Sequence, residues 1–432
     1  MVKIPDFEVE QWMDAYENTP GVLNIAETCA SSVSLKELTS FHHDAQAGAH
    51  DDEAAAAAIL DYSARMTYGA IRGSEELRRN IAALYADDGG ETEALTPDDV
   101  LVTQGAIAAN HLVFYALVGP GDHVICVYPT YQQLYTVPAT LGAEVSLWEQ
   151  RAEDNYQPDI RELEKLIRPN TKMIVINNPN NPTGTTIPKA TLKAIRAKAK
   201  AANITILSDE AYSPLYHSPA AESAPQPPSL LSLRADADAD ADNDDDDNDD
   251  DNVIATSTMS KAWALAGIRV GWAATRNKRL AARLAAARDY TTISVSQLDD
   301  RVARYALSSS VRPGLAARNL GLARTNLALL AAFVEAHARV CSWVAPTAGT
   351  TAFLRFCRAG GGDGGGGRGG QVVDDVWFCR EVLARTSVLM VPGSRCFGEG
   401  FAGFVRVGYV CSSEVLLEAL RRLGEFVEEV LG

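Results

Sequence analysis

The chain has 432 residues, 47% of them apolar, and a formal net charge of −17. Eleven of those charges are aspartates between Asp236 and Asp251, which leaves −6 elsewhere, an ordinary solubility charge that argues against nucleic acid or an anionic membrane as partner. The length predicts two domains, or one large α/β domain with an appendage, and no run of about 18 apolar residues suggests a membrane span.

Residues Met1 to Asp6 carry no basic and apolar leader pattern. The cysteines (Cys29, Cys126, Cys341, Cys357, Cys379, Cys396, Cys411) are odd in number and scattered, with no CxxC and no metal-type cluster. We therefore expect reduced thiols, no metal, and a soluble cytoplasmic protein. Phe7, Val9, Trp12, Met13 and Tyr16 have helical spacing and predict a short amphipathic helix over 7–17, followed by an extended stretch at 24–29. After an alanine-rich patch, residues 68–73 read as a loop leading into a helix capped by Ser74, with Glu75 and Glu76 favourably placed in its first turn.

From residue 95 onward, short apolar strands alternate with helices. Strands are predicted at 100–103, 124–127, 144–147, 173–176, 204–207 and 253–256, and helices from 105, over 159–167 and over 189–202. That alternation predicts a largely parallel sheet covered on both faces. Residues 219–252 are first proline-rich and then an Asp/Asn/Ala tract, and read as a disordered insertion that cannot bury apolar area; 359–370 reads as a flexible glycine-rich loop. The aspartates lack the glycine-turn spacing of a calcium loop. Helices are expected to about residue 338, then strand and helix again. The fold class is thus α/β: a large, mainly parallel-sheet cofactor domain over 45–305, and a smaller α/β domain made of 1–44 and 306–432.

In such sheets ligands bind beyond the carboxyl ends of the strands, and the polar clusters of this chain fall there. Gly105-Ala106-Ile107 opens a helix directly after a strand, so its free N–H groups can hold a phosphate. Asn178-Pro179-Asn180-Asn181-Pro182-Thr183-Gly184 forms a turn from which Asn181 projects an amide. Asp209 and Tyr212 place a carboxylate and a phenol at another strand end, suited to a pyridine nitrogen and its ring oxygen. In Ser257-Thr258-Met259-Ser260-Lys261, continuing to Arg269, one lysine stands among hydroxyls and a guanidinium inside an apolar run. Burial there should disfavour the lysine's charge and leave a nucleophilic amine, while Thr258, Ser260 and Arg269 are phosphate-binding groups. An amine beside an anion site suggests pyridoxal 5'-phosphate (PLP), which carries an aldehyde and a phosphate.

Together, Asn-Pro-Asn-Asn-Pro-Thr-Gly, Asp-Glu-Ala-Tyr, Ser-Lys-x5-Gly-x-Arg-x-Gly-Trp and the late Arg406 resemble the class I/II aminotransferases, fold type I PLP enzymes, from about Tyr68 to Arg406. The resemblance implies that Lys261 is the Schiff-base lysine and proton shuttle. It also implies that Asp209 pairs with the pyridinium, Asn181 and Tyr212 with the ring hydroxyl, and Gly105, Ala106, Thr258 and Arg269 with the phosphate. Tyr131 would stack on the ring, Tyr68 would reach the phosphate of a neighbouring subunit in a homodimer, and Arg406 would grip the substrate α-carboxylate. The reaction implied moves an amino group between an amino acid and a 2-oxo acid.

Two departures from the family pattern stand out. Ala26-Glu27-Thr28-Cys29 replaces a glycine-containing segment that often lines the substrate pocket, and no second substrate-binding arginine is placed near Thr291-Thr292-Ile293-Ser294. Glu27, if it faces the pocket, favours a substrate with a cationic side chain. The N-terminal pattern also resembles cyclases of the capreomycidine-synthase type and carbon–sulfur lyases of secondary metabolism, which share the fold. Both classes need Lys261, Asp209 and Arg406, so the motifs leave transfer and elimination or cyclisation open.

Overall fold

Val124, Cys126, Met173, Val175, Leu207 and Ile254 pack into one apolar cluster, while the residues between them (Ile125, Val127, Ile174, Ile176, Ile206 and Val253) belong to another. The period of two shows a sheet buried on both faces, which is why its strands read as continuous apolar runs. The computed structural model describes residues 4–42, 59–61, 63–86, 94–217, 227–233, 251–359 and 371–432. In chain order its strands are β1 (Leu23–Asn24), β2 (Val100–Thr103), β3 (His123–Tyr128), β4 (Glu144–Glu149), β5 (Thr171–Asn177), β6 (Thr205–Asp209), β7 (Val253–Thr258), β8 (Gly271–Ala274), β9 (Cys341–Trp343), β10 (Thr351–Phe356), β11 (Val388–Leu389), β12 (Val391–Pro392) and β13 (Phe404–Gly408).

The main sheet has seven strands in the order β2-β8-β7-β6-β5-β3-β4. Neighbours from β7 to β4 run parallel, and β8 runs antiparallel to both β7 and β2. The helices Gly105–Leu117 and Lys278–Arg288 cover one face through Leu112, Val113, Leu280 and Leu284; Ile160–Leu166 and Lys189–Ala201 cover the other through Leu163, Leu192 and Ile195. Five parallel strands therefore present their carboxyl ends along one edge, at Tyr128, Glu149, Asn177, Asp209 and Thr258. The fold class is the α/β class expected.

A second, antiparallel sheet runs β12-β13-β10-β9. The N-terminal segment joins this part of the chain: β1 pairs parallel with β11, Trp12 Nε1 donates to the Met390 carbonyl at 2.8 Å, and Glu8 pairs with Arg395 at 2.7 Å. Trp12 is fully buried, so the short helix Glu8–Tyr16 is held by its apolar face against the chain's last hundred residues.

Two expectations change. Strands β6 and β7 run two residues beyond the predicted 204–207 and 253–256, because the ladder continues through Asp209↔Thr256 and Thr258↔Gly271, which makes Asp209 and Thr258 the last residues of their strands. The stretch 219–252 is not uniformly unable to bury apolar area: Leu230, Leu231 and Leu233 are core residues around a short 3-10 turn, and Asp251 pairs with Arg196 at 2.9 Å. Residues 219–226 and 234–250, the glycine run 360–370 and the alanine-rich patch before residue 59 lie outside the described residues. Among the described residues no helix is long and apolar enough to cross a membrane, and no group of three His, Cys, Asp or Glu could hold a metal ion.

Candidate active site

At the carboxyl edge of the main sheet a cavity of about 410 Å³ opens, and Lys261 lies in it. Its Nζ donates to Thr28 Oγ1 at 2.6 Å, sits 3.6 Å from Cys29 Sγ and 3.8 Å from a Glu27 carboxylate oxygen. The expected neutral amine is corrected by these neighbours. Burial does oppose the lysine's charge, but Cys29, Tyr212 and Glu27 reverse the balance and raise the ammonium above its ordinary pKa. Burial pushes the Cys29 thiol up to about 11, so Glu27 is the charged partner at neutral pH. For Glu27 burial is outweighed by Lys261 and by hydrogen bonds from Cys29 and the Thr28 and Cys29 amides, which hold its carboxyl near 2.

Asp209, 4% exposed at the end of β6, lines the same cavity. Burial raises its carboxyl to about 6 against the hydrogen bonds from Asn110 (2.9 Å) and the Ala211 amide (3.1 Å), which pull it down. Three residues on, Tyr212 is buried with its phenol raised, chiefly by burial. Asn181 is fixed in its turn because Asn177 Oδ1 accepts its backbone N–H at 2.8 Å. Its side-chain oxygen accepts from Arg406 Nη1 at 3.3 Å, while Arg406 Nη2 donates to the Ala26 carbonyl at 3.0 Å. The remaining nitrogen, Nε, is buried without a partner, so this guanidinium keeps a donor to offer a ligand.

Thr258, Ser260 and Arg269 form a third cluster. Thr258 Oγ1 donates to Ser260 Oγ at 3.0 Å, and Arg269 Nη1 reaches Ser260 Oγ at 3.4 Å. Arg269 takes a left-handed conformation (φ 50°), which turns it back toward Gly105. A Cβ on Gly271 would lie 2.3 Å from the Gly105 carbonyl carbon, so only glycine lets β8 approach the start of helix Gly105–Leu117 this closely. That contact brings the guanidinium beside the free amides of Gly105, Ala106 and Ile107, a cradle of hydroxyls, N–H groups and one cation. A buried acid, an amine and an anion cradle around one cavity fit a phosphorylated pyridine aldehyde.

Of the residues singled out by sequence, Glu27, Ala106, Ile107, Tyr131, Asn181, Asp209, Tyr212, Thr258, Ser260, Lys261, Arg269 and Arg406 line this cavity, and Gly105 abuts Arg269. Tyr68 does not: it is 83% exposed on the surface of the single chain. A larger cavity of about 770 Å³ shares Ile107 and Arg269 but holds neither Lys261 nor Asp209. The segment Ala26–Cys29 brings Thr28 and Cys29 into the cavity as well; sequence reasoning missed Asn110 and, at the N-terminal helix, Glu10 and Glu17. A lone amide inside an apolar helix was the available signal for Asn110; the others had none.

Residues 41–423 match the family model of class I and II aminotransferases. Capreomycidine synthase of Streptomyces vinaceus is 30% identical over 83% of this chain and 80% of its own length, and an aspartate aminotransferase of Thermotoga maritima 29% over 82% of each. The crystal structure of a PLP-dependent aminotransferase from Streptococcus suis superposes with a TM-score of 0.82 at 33% identity, covering 99% of this chain and 98% of the other.

Proposed function

We propose, from the premise that the chain belongs to the class I and II aminotransferase family, that it is a PLP-dependent enzyme transferring an amino group between an amino acid and a 2-oxo acid. One observation carries the reading: Lys261, Asp209 and the Thr258–Ser260–Arg269 cluster border a single cavity. When bound, PLP supplies an aldehyde for the lysine and a ring that delocalises the electrons of the substrate's Cα–H bond.

The residues then divide the work. Asp209 would hold a proton on the ring nitrogen, its buried carboxylate pairing with that cation. Asn181 and Tyr212 would bond the ring oxygen, Tyr131 would stack on the ring, and Gly105, Ala106, Ile107, Thr258, Ser260 and Arg269 would hold the phosphate. Arg406 takes the substrate carboxylate with its fork and so orients the Cα–H bond. Lys261 Nζ, once free of its extra proton, takes the Cα proton and returns it elsewhere.

Purified protein should be yellow, and adding an amino acid should shift the band while pyridoxamine phosphate and an oxo acid accumulate. Lys261→Ala should lose the covalent band and at least about a thousandfold in rate; a variant that keeps both overturns the reading. A second reading, cyclisation or elimination, is favoured by the 30% identity to capreomycidine synthase. Its mark is turnover without pyridoxamine phosphate, with release of water, ammonia or a thiol.

A homodimer is supported by exposed Tyr68 together with exposed Met66, Ile71, Tyr290 and Ile293. Sedimentation should give twice the chain mass, and Tyr68→Phe should weaken cofactor retention. The cysteines are all unpaired, which supports a cytoplasmic setting.

A further inference from the structure

Two carboxylates of the N-terminal helix face the cavity without a cation to answer them. Glu10 and Glu17 are two turns apart, with Met13 between them, and all three line the cavity with Glu27. Glu8, on another face of the same helix, has its partner in Arg395 at 2.7 Å. Glu10 instead accepts only the Tyr131 hydroxyl at 2.9 Å, and among the described residues neither Glu10 nor Glu17 forms an ion pair. Glu17 also sits at the helix's C-cap, where the negative end of the dipole disfavours a carboxylate. Burial and then the charges of Glu27, Glu10 and Asp14 push its carboxyl up. Local preference opposes the carboxylate at Glu17, and a cationic ligand is the natural source of the missing positive charge.

The same cavity carries an independent sign of what binds. Arg406 is 3% exposed and its Nε has no partner, which calls for an anionic group at that end. A ligand with its carboxylate at Arg406 meets Glu10, Glu17 and Glu27 elsewhere on the same lining, with the apolar Val9 and Met13 available to cover an aliphatic stem. A second carboxylate on the ligand would be repelled.

We infer that Glu10, Glu17 and Glu27 form a subsite for the positively charged end of a basic α-amino acid, an amine or a guanidinium. The inference deepens the aminotransferase reading of this cavity and rests on it, since Lys261, now beside Glu27, is then engaged by the cofactor.

The test uses ligands that lack a Cα–H bond and cannot turn over: α-methyl-L-ornithine and its uncharged counterpart α-methyl-L-norvaline, titrated calorimetrically into the cofactor-loaded protein. The ornithine compound should bind about tenfold tighter, and the ratio should shrink as salt rises from about 0.01 to 0.15 M. In the Glu10→Gln, Glu17→Gln double variant it should fall to roughly twofold or less. Equal affinity for the two in wild-type protein, or a ratio the double variant leaves unchanged, overturns the subsite while leaving the aminotransferase reading intact. Binding of neither overturns both.

Discussion

The side chain of Asn110 donates to Asp209 Oδ2 at 2.9 Å and accepts from Thr256 Oγ1 at 2.6 Å, so a helix residue holds a strand residue's carboxylate in place through the neighbouring strand. That bond is one of the few forces drawing the buried Asp209 carboxyl down from its raised position near 6. Removing it should raise the carboxyl further, leaving less carboxylate for the ring nitrogen at neutral pH. Asn110→Leu should therefore weaken PLP binding about tenfold or more, with a larger loss at pH 6 than at pH 8. Cofactor titrations at the two pH values check this, and an equal loss at both would show that Asn110 serves packing alone.

Arg406 bonds Asn181 and Ala26 with two nitrogens and offers the third. Arg406→Lys keeps the charge and loses the planar fork. The KM for amino acids should rise roughly 10- to 100-fold, while the cofactor absorbance stays as in the parent, as steady-state kinetics alongside a spectrum will show.

Glu210 gives a pH signature. It is buried at 4% exposure, and burial raises its carboxyl to about 7 against bonds from Ser229, the Leu230 amide and Ser208. Between its unfolded value and 7 the native protein keeps a proton that the unfolded chain has released, so stability falls as pH rises through that window. Glu210→Gln should flatten the fall, of order 3 kcal/mol for one fully buried carboxyl. Urea unfolding midpoints at pH 5 and 7.5 measure it; equal slopes in parent and variant would dismiss the assignment.

Leu231 is fully buried, in a stretch whose composition reads as insertion. Leu231→Ala should cost about 2–5 kcal/mol, as for other core leucines, and lower the thermal midpoint accordingly. A surface-like change of under about 0.5 kcal/mol would mean that this turn is not part of the core.

The strands and the residues at their ends were legible because both are local. A run such as Met173-Ile174-Val175-Ile176 declares a doubly covered strand, and Asp209, Asn181 and Lys261 follow their strands or turns directly. What was hidden depends on pairing across the chain. Thr28 meets Lys261 over 233 residues, and Glu10 meets Tyr131 over 121, with no periodicity or motif to announce either. Leu230, Leu231 and Leu233 were masked by the prolines and aspartates flanking them. The surroundings of Lys261 divide the same way: burial is visible in its apolar neighbours, but Cys29, Tyr212 and Glu27, which favour the ammonium, are brought to it from distant parts of the chain.

The pairing of β1 with β11 has a consequence for how the molecule is made. Leu23 finds its partner Val388 only after 365 further residues have been added, a delay on the order of tens of seconds at ribosomal speed. Until then the N-terminal helix has no Met390 carbonyl for Trp12 and no Arg395 for Glu8. The wall of the cavity that carries Glu10, Glu17 and Glu27 is thus among the first parts synthesised and the last to be set in place. From Ala274, where the last strand of the main sheet ends, until residue 388 is added, the nascent chain has its sheet complete in sequence and its binding pocket open on one side. Competence to discriminate ligands arrives as a late event, timed by the C-terminal residues.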